Sequence, residues 1–181
     1  MTDNVPSVSA TTKKPRRKKP AKSGIPYETA TSTRSQDETK KLLLEKLGCE
    51  EAGYYDKPAT HEIMLQFKRR GCAVQIQVSA KGWAALYLKR HPWNYSRHGT
   101  RQQHEEAALK QGQIAANSML RDWIKGQVTA IECGLHSFEA AFMPYMVTSD
   151  GRPLHERVKE LQLLPQPESQ KVIPLMREQK P

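Results

Sequence analysis

Thirty-two consecutive residues, Gln102 to Cys133, carry a helical apolar period and leave few alternatives for the architecture of this chain. Leu109, Ala116, Leu120, Ile124, Val128 and Ile131 recur at three, four or seven residues and so share one face. Ala115, Met119, Trp123 and Ala130 widen that face, while Asn117, Ser118, Arg121, Asp122 and Lys125 fall mostly opposite. A stripe this broad needs packing partners on both flanks, so the domain is expected to gather around one long helix. At roughly 1.5 Å per residue the helix reaches about 48 Å. Gly112 and Gly126 each cost about 1 kcal/mol against Ala, and Gly112 marks a candidate bend. The stripe is also wide enough to permit pairing with a second copy, so a homodimer is one expectation.

Composition limits the rest. A chain of 181 residues with 37% hydrophobic content suits one small core and disordered ends. No apolar run approaches a membrane span, and the N-terminal basic residues precede no apolar stretch of a secretory signal. The expected setting is a cytoplasm, with no membrane partner. Cys49, Cys72 and Cys133 are odd in number and lack metal-knuckle spacing, which points to reduced thiols.

Charge is sorted along the chain rather than spread over it. Residues 1–22 carry seven Lys or Arg and one acid; residues 63–104 carry eight and no acid; all other residues together are net −4. Residues 1–34 read as a disordered basic arm, poor in large apolar side chains and rich in Ser, Thr, Pro and Lys. Its polybasic run is Lys13, Lys14, Arg16, Arg17, Lys18, Lys19 and Lys22, interrupted by Pro15 and Pro20, which oppose helix. Such a run fits phosphate contact, or else a solubilising tail.

Residues 35–164 read as a single α+β domain. Asp37 and Glu38 open a helix with Leu42, Leu43, Leu44 and Leu47 on its apolar side, and Gly48 ends it. Cys49 to Thr60 reads as a loop. Ile63, Leu65 and Phe67, then Val74, Ile76 and Val78, alternate with polar residues at period two, predicting an antiparallel hairpin turned at Arg69-Arg70-Gly71. One face of that hairpin is apolar, and the long helix is the surface to cover it. Ala80 to Arg101 is least regular, with a short helical turn at Trp83–Leu88 broken before Pro92. Thr100 is the expected N-cap of the long helix and Gly134 its C-cap glycine. Short helices follow at Phe138–Met143, capped by Ser137, and along Leu154, Val158, Leu161 and Leu164, separated by an Asp150-Gly151 turn. Residues 165–181 read as a loose tail.

The order of these segments resembles a group of small proteins encoded by bacteriophages, prophages and integrated elements. That group carries a hairpin of the VVFRLRGRxVRxxLP type and a helix of the WRALLLVIKAKLEAVExGxxTFEEEFLAHIVLPDGRTV type. The matching residues here are Trp123-Ile124-Lys125, Ala130, Ile131, Glu132, Gly134, Ser137-Phe138-Glu139, Phe142-Met143-Pro144-Tyr145 and Asp150-Gly151-Arg152. The resemblance covers roughly residues 39–154. It implies a mobile-element origin, a bacterial host cytoplasm and a shared α+β domain, and supplies no activity or site residues. The basic arm and the longer, more aromatic Ala80–Arg101 segment depart from the pattern.

Chemistry is sparse. No phosphate-binding glycine loop, nucleophile elbow, kinase signature or zinc spacing is present. His91, His98 and His104 are irregularly spaced with no Cys or carboxylate among them, and Glu105, Glu106 and Asp122 suit solvated faces or caps. His136 beside Ser137 suits cap chemistry. We therefore expect no catalytic residues, no metal and no cofactor. The constellation that stands out is Lys68, Arg69, Arg70, Lys81, Lys89, Arg90, Trp93, Arg97 and Arg101, interleaved with Trp83, Tyr87 and Tyr95. Cations of this kind contact phosphates, and aromatic faces stack on bases or else fill a core. The expected function is non-enzymatic, largely sequence-independent binding of DNA or RNA by an accessory protein of a phage or mobile element. The alternative is a protein-binding module or inhibitor acting on an acidic surface of a host protein.

Overall fold

A computed structural model describes residues 24–31, 34–95 and 99–164. The polybasic run Lys13–Lys22, Arg97 and the tail from 165 onward lie outside the described residues. The order is helix α1 (Ser35–Lys41), continued by a π-helical turn Leu42–Lys46; strands β1 (Glu51–Lys57), β2 (Glu62–Arg69) and β3 (Cys72–Ser79); then α2 (Lys81–Arg90), α3 (Arg101–Glu132), α4 (Phe138–Phe142) and α5 (Leu154–Glu160). This is the expected α+β architecture. A small antiparallel sheet lies on one long helix, with short helices at either end of the chain.

The long helix runs unbroken for 32 residues. Thr100 caps it: its hydroxyl accepts from the Gln103 N–H at 3.2 Å, and the Gln103 side chain accepts from the Thr100 N–H at 3.1 Å. The helix passes through Gly112, the candidate bend, without interruption, and that glycine serves packing. A Cβ there would stand 2.8 Å from the Ala80 carbonyl oxygen, so its absence lets the start of α2 lie directly on α3.

The sheet has the order β1-β2-β3, antiparallel throughout. Arg70 (φ 50°) and Gly71 (φ 78°) form the two-residue hairpin turn, closed by the pair Arg69 and Cys72. Ile63, Leu65, Phe67, Val74 and Ile76 are buried, as their alternation requires. Leu65, Phe67, Val74 and Ile76 meet Leu120, Ile124 and Val128 of α3, Leu43 and Leu47 of the first helix, and Phe138 and Phe142 of α4. The aromatic centre of this core is edge-to-face: Phe67 on Phe142 at 5.2 Å and Trp123 on Phe142 at 5.9 Å. Because the chain's own sheet and helices bury this stripe, α3 offers no bare apolar face along it.

Three expectations need correction. Residues 51–57, read as loop, form β1 in full register with β2, from Glu51 against Lys68 to Lys57 against Glu62. Its Gly53 and Asp56 hide the pattern, and its order comes from pairing with a hairpin that is already well determined. Residues 24–31 do not belong with the arm. Ile25 is buried against Trp83 and Ala115 in a second small cluster, joined by Tyr27, Tyr87 and Met119. The ordered domain therefore starts by Gly24, ahead of the expected boundary at 34/35. Finally, α5 ends at Glu160, and Leu161 and Leu164 are 56% and 67% exposed, so the last apolar stripe buries little. Leu44 is likewise 42% exposed, because the first helix turns only Leu43 and Leu47 fully inward.

Candidate nucleic-acid interface

The basic residues of 63–104 separate into two groups at opposite ends of the sheet. Lys68, Arg69 and Arg70 surround the hairpin turn, whereas Lys81 starts the helix that follows the far end of β3. Eight residues of strand lie between, about 24 Å at 3.4 Å per residue.

At the turn, acids distant in sequence meet the cations. Lys68 Nζ stands 3.8 Å from Glu50 and 4.0 Å from Glu51. The Arg69 guanidinium lies over the Phe138 ring at 4.9 Å. Glu139 is held below the usual carboxylate range by its own backbone N–H and the Ser137 hydroxyl, partly against desolvation, with Arg69 and Arg70 adding attraction. Arg70 is exposed at the tip. The segment without acids is thus not a surface without acids.

The other group is built on α2 and the connector to α3. Trp83 and Tyr87 turn inward and stack, with ring centroids 5.4 Å apart and planes within 16°. The Trp83 indole N–H donates to the Pro26 carbonyl at 2.8 Å, so this tryptophan is core and clasps the segment that follows the arm. Gln111 of α3 holds the same segment through the Glu28 and Ala30 carbonyls at 3.2 and 2.8 Å. Tyr27 donates to Asp122 at 2.8 Å. Despite some desolvation, the hydrogen bonds from Tyr27 and Arg121 hold the Asp122 carboxyl below its ordinary range. Glu28 approaches His91 at 3.0 Å, and His104 Nε2 meets the His91 carbonyl oxygen at 2.9 Å. The two described histidines of the irregular trio therefore tie α2 to α3. Among the described residues no group of His, Cys, Asp or Glu is arranged to hold a metal ion.

Outside this clasp the surface is cationic and aromatic. Lys81, Lys89 and Arg90 are exposed on α2, and the Arg90 side chain passes beside Gly24. Trp93 is 42% exposed and Tyr95 80% exposed, edge-to-face at 6.2 Å. The Trp93 indole N–H donates to the Gly99 carbonyl at 3.2 Å, which sets the ring's orientation. Leu88, Pro92, Trp93, Arg101, His104 and Glu105 line a shallow hollow there of about 300 Å³. Arg101 is paired with Glu105 one turn along at 2.9 Å.

The aromatics thus divide, two into the core and two to the surface. Sequence reasoning missed the clasp residues Ile25, Tyr27, Glu28 and Gln111. The one signal for them was Ile25-Pro26-Tyr27, an apolar cluster directly after the polybasic run. Compared with protein-family models, curated proteins and solved structures, the chain matches none. Among the described residues no helix is long and apolar enough to cross a membrane.

Proposed function

We propose that this protein is a non-enzymatic, largely sequence-independent nucleic-acid-binding accessory protein of a phage or integrated element, acting in the bacterial cytoplasm. The observation that carries the reading is the clasp. Gly24 sits against Arg90, and Lys22 is two residues upstream, at most about 7 Å of chain. The polybasic run is therefore tethered at the end of the domain that presents Lys89, Arg90, Trp93, Tyr95 and Arg101. Arm and domain together make one contact zone, in which cations neutralise phosphates and the two exposed aromatics meet unstacked bases. The hairpin tip, at the other end and partly neutralised, is a minor contributor in this reading.

Fluorescence anisotropy with labelled single- and double-stranded DNA, titrated with salt, tests it. With about six phosphates contacted, log K falls against log salt with a slope of roughly −4 to −5. Removing residues 1–22 makes the slope shallower. Lys81→Ala with Lys89→Ala makes it shallower by about 1–2, and Arg70→Ala leaves it unchanged. Absence of binding at low salt overturns the reading in favour of a protein partner. An Arg70→Ala effect equal to that of the α2 pair overturns the assignment to one end.

A further inference from the structure

Among the described residues, one edge of the sheet is open. The hydrogen-bond phase follows from the hairpin turn: Arg69 and Cys72 close it, so the odd-numbered residues of β2 bond β3. Two bonds beyond the strands agree. The Ala80 N–H donates to His61 O at 3.0 Å, and the Val147 N–H donates to Ala73 O at 2.8 Å from the outer side of β3. The even-numbered residues of β2 then bond Glu51, Gly53, Tyr55 and Lys57 of β1. The N–H and C=O groups of Ala52, Tyr54 and Asp56 point away from the sheet, with no backbone partner among the described residues. The far side of β3 is closed differently, by the bridge from Val74 to Met146.

We propose that this edge is a homodimer surface, on which a second copy of the chain adds its own β1, antiparallel, to make a continuous six-stranded sheet. The outward-pointing residues define the register. Tyr54 bonds Tyr54 of the second copy on the twofold axis, and Ala52 bonds Asp56 of the second copy on either side. In that register the strand EAGYYDK complements itself. Glu51 faces Lys57 of the second copy, and the pair occurs twice. Gly53 faces Tyr55 of the second copy; within each chain the Tyr55 ring, 54% exposed, already lies beside Gly53, 3.6 Å from where a Cβ would stand, and the glycine adds no side chain to crowd the facing ring. The small side chain of Ala52 stands opposite Asp56, which keeps that carboxylate clear of a like charge. A slip of two residues either way loses both ion pairs, and a slip of one puts Glu51 against Asp56 or Pro58 and breaks the bonding phase. Exposed edges are ordinarily guarded by repelling charges; here the charges attract a copy of the same strand. The flank beneath carries Lys40 over the Tyr54 ring at 6.0 Å and, one turn on, the exposed Leu44.

Sedimentation equilibrium of the full chain over a range of concentrations, with three variants, tests the proposal. The unmodified chain shows a monomer–dimer equilibrium. Glu51→Lys and Lys57→Glu, each alone, place like charges across both pairs and raise the dissociation constant about tenfold. Mixed in equal amounts the two variants recover the dimer, because each now carries the charges that complement the other. Asp56→Pro removes an outward N–H and no bond within the sheet, and abolishes the dimer. If Asp56→Pro does not fold, the charge reversals decide alone. A chain that stays monomeric throughout overturns the proposal. So does a dimer indifferent to all three variants, and so does a mixture that fails to recover association.

Discussion

Gly112 and Gly126 lie on the same helix and answer to different constraints. A methyl group at Gly112 would press on the Ala80 carbonyl at 2.8 Å, a backbone atom that moves only with α2, whereas at Gly126 nothing lies within 4 Å. Gly112→Ala is therefore expected to lose about 1–3 kcal/mol to overpacking, in spite of alanine's helical advantage. Gly126→Ala is expected to gain about 0.5–1 kcal/mol. Urea unfolding of the two variants checks the opposite signs; a gain at Gly112 would show that α2 yields freely. Cys49 gives a second expectation at this scale. Burial pushes its thiol up to about 11, with Arg69 opposing and Glu50 adding a little. At pH 8 it is almost wholly protonated, so a thiol reagent should modify the exposed Cys72 and Cys133 rapidly and Cys49 only on unfolding. Because the neutral thiol is favoured in the fold, its contribution to stability is full below about 9 and lost as pH rises through about 11. Equal labelling of all three cysteines in the native protein would contradict this.

Residues 24–31 and β1 are the two elements that have little independent tendency to form. The first has no regular secondary structure, yet Ile25 is only 5% exposed, and its backbone carbonyls are taken by Trp83 and Gln111. It behaves as a strap across the α2–α3 junction. Removing residues 1–23 is expected to leave stability unchanged. Removing 1–31 uncovers Trp83 and Ala115 and is expected to lose about 2–4 kcal/mol, the scale of deleting one large buried side chain. Thermal unfolding together with a red shift of tryptophan emission reads the difference. Equal stability of the two truncations would mean the strap is ornamental to the fold. The strand β1 leans in the same way on what is already built, since its ladder partners among the described residues all come from β2 and only the Thr60 N–H, on the Lys57 carbonyl, comes from elsewhere.

For the whole molecule the important quantity is where charge ends up in space. Residues 63–104 contain no acid, yet the fold carries Glu50 and Glu51 to Lys68, Glu105 to Arg101, and Glu139 toward the hairpin tip. It also splits the cations between the two ends of the sheet. A protein that meets nucleic acid through one end should show salt dependence that follows the arm and α2 and ignores Arg70, which is why those variants separate one contact zone from two. Ile25 and Pro26, directly after the first basic segment in sequence, are held by Trp83 at the end of the domain where α2 carries the second.

Much of the architecture was legible from local pattern. The α3 stripe, the Thr100 and Ser137 caps, the Arg70-Gly71 turn and the buried side of the hairpin follow from the geometry of a single helix or strand, which repeats at short and fixed spacing. Composition likewise marked where positive charge is concentrated. Tertiary structure alone decided that Gly112 admits Ala80, that Trp83 is core while Trp93 is surface, and that 24–31 belongs to the domain. It also decided that EAGYYDK is an edge strand on which Ala52, Tyr54 and Asp56 have no backbone partner among the described residues. Each of these depends on a partner far away in the chain, and the energy that orders it is contact with that partner rather than any preference within the segment itself.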